Sequence, residues 1–186
     1  TLFSQQNREF FGMAGNDSLA LFLIVPPKFN ETYDVFRKIA GDGDAYELIS
    51  NKPVKAILDP SKARAILADD YKLICSALET DVELEVLRTI RGGGFRGGLI
   101  SLISQKAGIV AGRIFFDTTY VTGTRYSYKL VFYDGNGKST DSIEQVIDNK
   151  IKAPKAPSEL VAEAGNKSVT LTWEYPHWGG DFSDLG

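Results

Sequence analysis

The sequence predicts a mainly β chain interrupted by a helical insertion, and three observations carry that reading. Before about residue 50 and after about residue 113, apolar residues alternate with period 2, the strand period. Between about 52 and 110 the character is helical, with cap-like starts and an apolar stripe at helical spacing. Finally, Ala14-Gly15-Asn16-Asp17-Ser18-Leu19-Ala20-Leu21 returns as Ala164-Gly165-Asn166-Lys167-Ser168-Val169-Thr170-Leu171, at an offset of 150 residues without a gap.

The self-match runs on through Leu23 and Trp173, Pro26 and Pro176, and Asp34 and Asp184. A match at fixed offset marks a repeated structural unit. The expected organisation is a complete module over 1–150, a Pro-containing linker over 151–157 and an incomplete second module over 158–186. The expectation is that the intact protein continues past Gly186 and completes another module.

Each element has its local cause. Leu19, Leu21, Leu23 and Val25 fall on one strand face, with Ala20, Phe22 and Ile24 on the other, so both faces are to be buried. Pro26-Pro27 ends the run, because proline cannot donate to a ladder. Tyr33–Ile39 is a second strand, turned by Gly41-Asp42-Gly43-Asp44 into a partner over Ala45–Ile49. Asp59-Pro60 opens a helix to about Ala68: Asp caps, and Pro is tolerated at the first position. A second helix covers about Tyr71–Leu78. Thr80-Asp81-Val82-Glu83 reads as a capping box for a third, with Val82, Val86 and Ile90, and Leu84 and Leu87 nearby, as its apolar stripe. Gly92–Gly98 breaks that helix, and a shorter one follows over about Leu99–Gln105. Period 2 then returns from Arg113, in Ile114–Asp117 followed by Thr118–Val121 up to a turn at Thr122-Gly123, in Tyr126–Tyr133 and, after the hairpin turn Asp134-Gly135-Asn136-Gly137, in Ser139–Ile147.

Composition excludes several classes. Apolar content of 43% and charged content of 24% are those of an ordinary globular chain. A net charge of −3 argues against nucleic acid as a partner. The longest apolar run, Leu19–Pro27, is about half a membrane span, so no membrane insertion is expected. Thr1–Arg8 shows no secretory signal pattern. A single cysteine allows no internal disulfide framework.

Phe116-Asp117-Thr118-Thr119, then Val121, Gly123, Tyr126, Tyr128, Leu130 and Asp134–Ser139, resemble the second half of a fibronectin type III domain. Pro157-Ser158-Glu159-Leu160 followed by Val169-Thr170-Leu171-Thr172-Trp173 resembles the family's first two strands and core tryptophan. Tyr33-Asp34-Val35-Phe36-Arg37 resembles its third strand. The resemblance implies a fibronectin type III (immunoglobulin-like) β-sandwich with Leu21, Leu23, Val35, Tyr126, Tyr128 and Leu130 among its inward or corner residues, plus the first strands of a second one. Two departures stand out. Leu23 stands where the tryptophan is expected, and residues 52–110 interrupt a sandwich that needs about 100 residues.

No chemistry-bearing constellation rises above its bland explanation. Gly92-Gly93-Gly94-Phe95-Arg96-Gly97 fits G-x-G-x-x-G but follows a helix rather than a strand, so it reads as a connection. Arg88, Arg91 and Arg96 make it locally basic, and Arg91, Phe95 and Arg96 are the candidate interaction-loop residues. Asp42 and Asp44, and Asp134 with Asn136, are turn residues lacking the spaced oxygens of a calcium loop. His177 reads as an exposed loop residue, and Cys75, beside Leu73, Ile74 and Leu78, as a buried inert thiol. Asn30-Glu31-Thr32 and Asn166-Lys167-Ser168 match the glycosylation sequon. No catalytic, cofactor-binding or metal-binding residue is expected.

The expected function is therefore a noncatalytic structural or protein-interaction module of a larger extracellular, cell-surface or virion protein. The resemblance places helix-inserted domains of this kind in large bacterial surface proteins and phage particles. The alternative is an accessory spacer of a secreted carbohydrate-active enzyme. Expected partners are other protein domains or copies of the parent assembly, with a glycan as a further candidate.

Overall fold

A computed structural model describes residues 8–15, 17–43, 45–148 and 158–174. The chain divides into two units, Thr1–Asn149 and Lys150–Gly186. The linker expected over 151–157 lies outside the described residues.

The first unit contains two antiparallel sheets. One orders β1 (Phe10–Ala14), β2 (Leu19–Leu23) and β5 (Ile114–Asp117) as β1-β2-β5. The other orders β4 (Glu47–Leu48), β3 (Thr32–Ile39), β6 (Tyr126–Tyr133) and β7 (Ser139–Ile147) as β4-β3-β6-β7. Their facing side chains form one core: Phe10, Leu19, Leu21 and Leu23 from the first sheet meet Tyr33, Val35, Tyr126, Tyr128, Leu130, Phe132 and Ile147 from the second. All six residues expected inside belong to it. Leu23, in place of the expected tryptophan, is fully buried. The fold is a fibronectin type III-like β-sandwich.

β2 is buried on both faces, as its sequence predicts. Ala20 and Phe22 turn away from the main core into a smaller cluster with Ile114, Phe11, Met13 and Phe116. The strand stops at Leu23, two residues earlier than expected, although backbone pairing runs on through Leu23 N–H to the Arg113 carbonyl at 2.8 Å and Ile24 N–H to the Glu9 carbonyl at 2.9 Å. The partner expected over Ala45–Ile49 shrinks to Glu47–Leu48, although Ile49 N–H still reaches the Val35 carbonyl at 2.9 Å. β1 has no strict alternation and escapes a period-2 reading.

The helical segment joins the sandwich through two adjacent ends. Ile57 N–H donates to the Val110 carbonyl at 2.9 Å. Gly112 has φ +68°, and a Cβ there would lie 2.7 Å from the Ala56 nitrogen, so both conformation and space demand glycine. Between these ends run α1 (Pro60–Leu67), α2 (Asp70–Leu78), α3 (Glu83–Arg91), α4 (Phe95–Ile103) and α5 (Gln105–Val110). They enclose a core of their own, built on Ala63, Leu67, Tyr71, Ile74, Val86, Leu87, Ile90, Ala107, Val110 and Ala111.

Asp59 caps α1 as expected, accepting from Lys62 N–H at 3.2 Å. The expected capping box does not form. α3 starts at Glu83 with Val82 in the cap position, and Thr80 Oγ1 accepts from Val82 N–H while donating to Glu85 Oε2 at 3.0 Å. The helix register then sets Val86, Leu87 and Ile90 inward and leaves Val82 and Leu84 exposed, contrary to the expected stripe. The glycine-rich break is shorter than expected, because α4 begins at Phe95 and includes Gly97 and Gly98. The single helix expected over Leu99–Gln105 is two helices, since Ser104 ends α4 and caps α5 by accepting from Ala107 N–H at 3.1 Å.

The second unit contains β8 (Ser158–Gly165) paired with β9 (Ser168–Glu174). Ala164 faces Val169 and Ala162 faces Leu171, as Ala14 faces Leu19 and Gly12 faces Leu21 in β1–β2. Every side chain from 159 to 173 is exposed, Trp173 included.

Candidate functional site

The helical insertion presents the least explained surface of the first unit. α3 carries Arg88 and Arg91 in its last turn, and Gly92–Gly94 connects it to α4. The inward side of α4 sets Ile100 against the insertion core and small residues beside it. Gly97 and Ser101 are buried, and Ser101 Oγ donates to the Gly97 carbonyl at 2.7 Å. A Cβ at Gly97 would stand 2.4 Å from the Thr89 carbonyl oxygen, so the α3–α4 contact excludes any side chain there.

The outward side of α4 is apolar. Phe95 is 83% and Ile103 72% exposed, with Leu99 and Leu102 also in solvent. These positions are i, i+4, i+7 and i+8, which share one face of a helix. Gly98 lies on the same side, and a Cβ there would meet nothing within 4 Å.

The sequence around α4 is cationic, with Asp70 its acidic neighbour in space through Ser104 at the C-terminal end. From Val86 to Phe116 there is no Asp or Glu, while Arg88, Arg91, Arg96, Lys106 and Arg113 fall in that stretch. Lys106 is paired with Asp70 at 3.4 Å. Among the described residues no carboxylate pairs with Arg88, Arg91 or Arg96 within salt-bridge distance, and Arg91 reaches the Leu58 carbonyl at 3.4 Å. Burial lowers the Arg91 guanidinium from its ordinary range.

The three candidate interaction residues thus stay close in the chain but do not form one loop. Arg91 ends α3, half-buried; Phe95 and Arg96 are the exposed first turn of α4. The sequence expectation missed Leu99, Leu102 and Ile103, although their helical spacing with Phe95 was available. Glycine at 97 and 98 concealed that the helix begins so early, since glycine is a poor helix former.

Arg113 is the second missed residue. It is fully buried between the two cores, and its partners are backbone carbonyls: Nη1 donates to Leu23 and Ile24, and Nη2 to Gly92 at 2.7 Å. Burial lowers its guanidinium to about 10.

Asp117, at the end of β5, anchors a polar network. Its Oδ2 accepts from Arg37 at 2.6 Å and from Tyr128 at 2.7 Å, and its Oδ1 from the Thr119 amide and hydroxyl, each at 2.9 Å. Burial works to raise this carboxyl. Hydrogen bonds from Tyr128, Thr119 and Arg37 outweigh it and hold the group below its ordinary value. A shallow cleft of about 350 Å³ lies beside it, lined by Ile49, Asn51, Lys52, Phe115, Phe116 and neighbours. Four donors already occupy Asp117, so it is engaged in fixing the sandwich rather than poised as a base.

The remaining candidates have structural explanations or lie outside the described residues. Cys75 packs on the insertion core beside buried Ile74, whereas Leu73 faces solvent. Asp134 Oδ1 accepts from the amides of Asn136 and Lys138, which is turn chemistry. Asp42 is exposed in its turn. Asp44 and His177 lie outside the described residues. Asn30 and Asn166 are both exposed. Among the described residues no group of three acidic, cysteine or histidine side chains is placed to hold a metal, and no helix is long and apolar enough to cross a membrane.

No protein-family model matches the chain. No curated protein matches it either. Among solved structures, the crystal structure of chicken CNTN1 FN1–FN3 domains is similar over 90% of this chain, at 12% identity and a TM-score of 0.38. This chain spans 41% of that structure's length.

Proposed function

We propose that this chain is a noncatalytic protein-interaction module of a larger multidomain extracellular or particle-associated protein. The sandwich is the scaffold and the helical insertion carries the contact. One observation supports this most strongly: α4 exposes Phe95, Leu99, Leu102 and Ile103 on its outer side, with no cover from the described residues. Isolated exposed apolar residues are ordinary, but a contiguous helical face of them marks an interaction site. The sequence repeat and the shared hairpin register support a place in an array of such modules.

A photo-reactive amino acid placed at Phe95 of the parent protein, in its native host, tests the reading. Polypeptide adducts are expected from position 95 and not from exposed Gln145 on β7. Equal labelling at both positions, or none at 95, counts against it.

A further inference from the structure

We infer that the outer face of α4 docks an acidic amphipathic helix of another protein. The inference rests on the interaction reading above and names the partner's chemistry. Three features converge on it. The apolar face presents Phe95, Leu99, Leu102 and Ile103, the i, i+4, i+7 pattern into which a partner helix lays its own apolar stripe. The first turn of that helix carries exposed Arg96, Arg88 is exposed on the last turn of α3, and no acidic residue occurs between Val86 and Phe116, in a chain whose net charge is −3. Gly98 stands on the open side of α4 with nothing within 4 Å.

Gly98 discriminates between occupants. Glycine inside a helix costs about 0.5–1 kcal/mol relative to alanine. Gly97 is explained by the α3 backbone, whereas nothing inside the unit explains Gly98. Between Phe95 and Leu102 on the same side, it leaves a notch that lets another backbone approach closely. A fluid lipid surface has no use for such a notch and would favour a large apolar side chain there. A second copy of this chain, placed α4 against α4, would bring no carboxylate of that stretch to Arg96, since none occurs between Val86 and Phe116. A helix with acidic residues flanking an apolar stripe fits both the notch and the charge. Lys106, at the far end, is neutralised by Asp70, so the acidic end of the partner lies toward Arg96.

The test titrates the purified 186-residue chain against a dye-labelled helical peptide with leucine at i, i+3, i+4 and i+7 and glutamate on the flanks. A lysine-flanked version and vesicles of phosphatidylcholine with phosphatidylserine serve as competing probes. The glutamate peptide is expected to bind, at least about tenfold tighter than the lysine peptide. Leu99→Ser and Arg96→Glu should each weaken it about fivefold or more. Gly98→Ala should weaken binding while leaving the chain's melting temperature equal or higher, which separates docking from folding. Equal binding of both peptides, preference for the vesicles, or self-association of the chain abolished by Leu99→Ser would each overturn the proposal. If the glutamate peptide fails while Phe95 still cross-links to protein, the interaction reading stands and the acidic helix does not.

Discussion

Arg113 Nη2 donates to the carbonyl of Gly92 at 2.7 Å, tying the α3–α4 connection to the strand that re-enters the sandwich. The same guanidinium holds the carbonyls of Leu23 and Ile24 at the end of β2. One side chain therefore fixes the insertion to the scaffold without a carboxylate partner.

Replacing Arg113 by methionine keeps bulk but leaves those three carbonyls unserved. The expected cost is roughly 2–4 kcal/mol in urea unfolding, since a buried acceptor without a donor costs about 1–3 kcal/mol. Arg113→Lys should recover less than half, because one ammonium does not span donors to three sites. A methionine variant as stable as the parent contradicts the assignment.

The Asp117 network predicts an acid-labile component of stability. The carboxyl is depressed in the folded protein, so its contribution is present above the ordinary aspartate value of about 3.9 and is lost as pH falls through the lower folded value. Asp117→Asn should cost roughly 2–3 kcal/mol at neutral pH, where charged hydrogen bonds are lost. It should also flatten the acid limb of the stability profile below about pH 4. Urea midpoints of both proteins from acid to neutral pH decide this; parallel profiles refute it.

Two adjacent glycines should behave oppositely. Gly97→Ala puts a methyl 2.4 Å from the Thr89 carbonyl oxygen and forces α3 and α4 apart, at an expected cost of about 1–3 kcal/mol. Gly98→Ala meets nothing and should stabilise by about 0.5–1 kcal/mol through helix propensity. Thermal melts of the two variants are sufficient, and equal shifts of the same sign contradict the packing of α4.

The hairpin β8–β9 is two-stranded with every side chain from 159 to 173 exposed, and such hairpins are marginal in water. Limited proteolysis of the isolated chain should cut within 158–174 well before any site in the first unit. Resistance of that segment equal to the first unit's, in monomeric protein, opposes this.

The sheets were largely legible in the sequence because their cores are made by local alternation. β6 and β7 start and end where period 2 and the Asp134–Gly137 turn put them, and β5 starts at Ile114 but ends at Asp117, where the Asp117 carboxylate takes the Thr119 amide instead of a ladder continuing. β1 was not, because Phe10-Phe11-Gly12-Met13-Ala14 is short and carries glycine and alanine, which are weak strand formers. In the insertion, Asp59-Pro60 announced α1 correctly, while Thr80 found Glu85 rather than Glu83, a choice made by helix register and not by motif spacing. Arg113 could not be read at all: its partners are carbonyls of residues 23, 24 and 92, which carry no side-chain signature. The α4 face was half legible, with Phe95 and Arg96 singled out and Leu99, Leu102 and Ile103 hidden behind glycines that looked like a loop.

The division of labour between scaffold and insertion is tested most directly by the amide NMR spectrum of a chain lacking 56–108. The insertion's ends already meet, through Ile57 and Val110 and around Gly112, and its core is separate from that of the sandwich. A dispersed spectrum is expected, in which residues of β3, β6 and β7 keep the shifts they have in the full chain, with changes concentrated near Leu23, Ile24 and Arg113. Loss of dispersion throughout would instead show that the helices are part of the sandwich's own core and not an accessory to it.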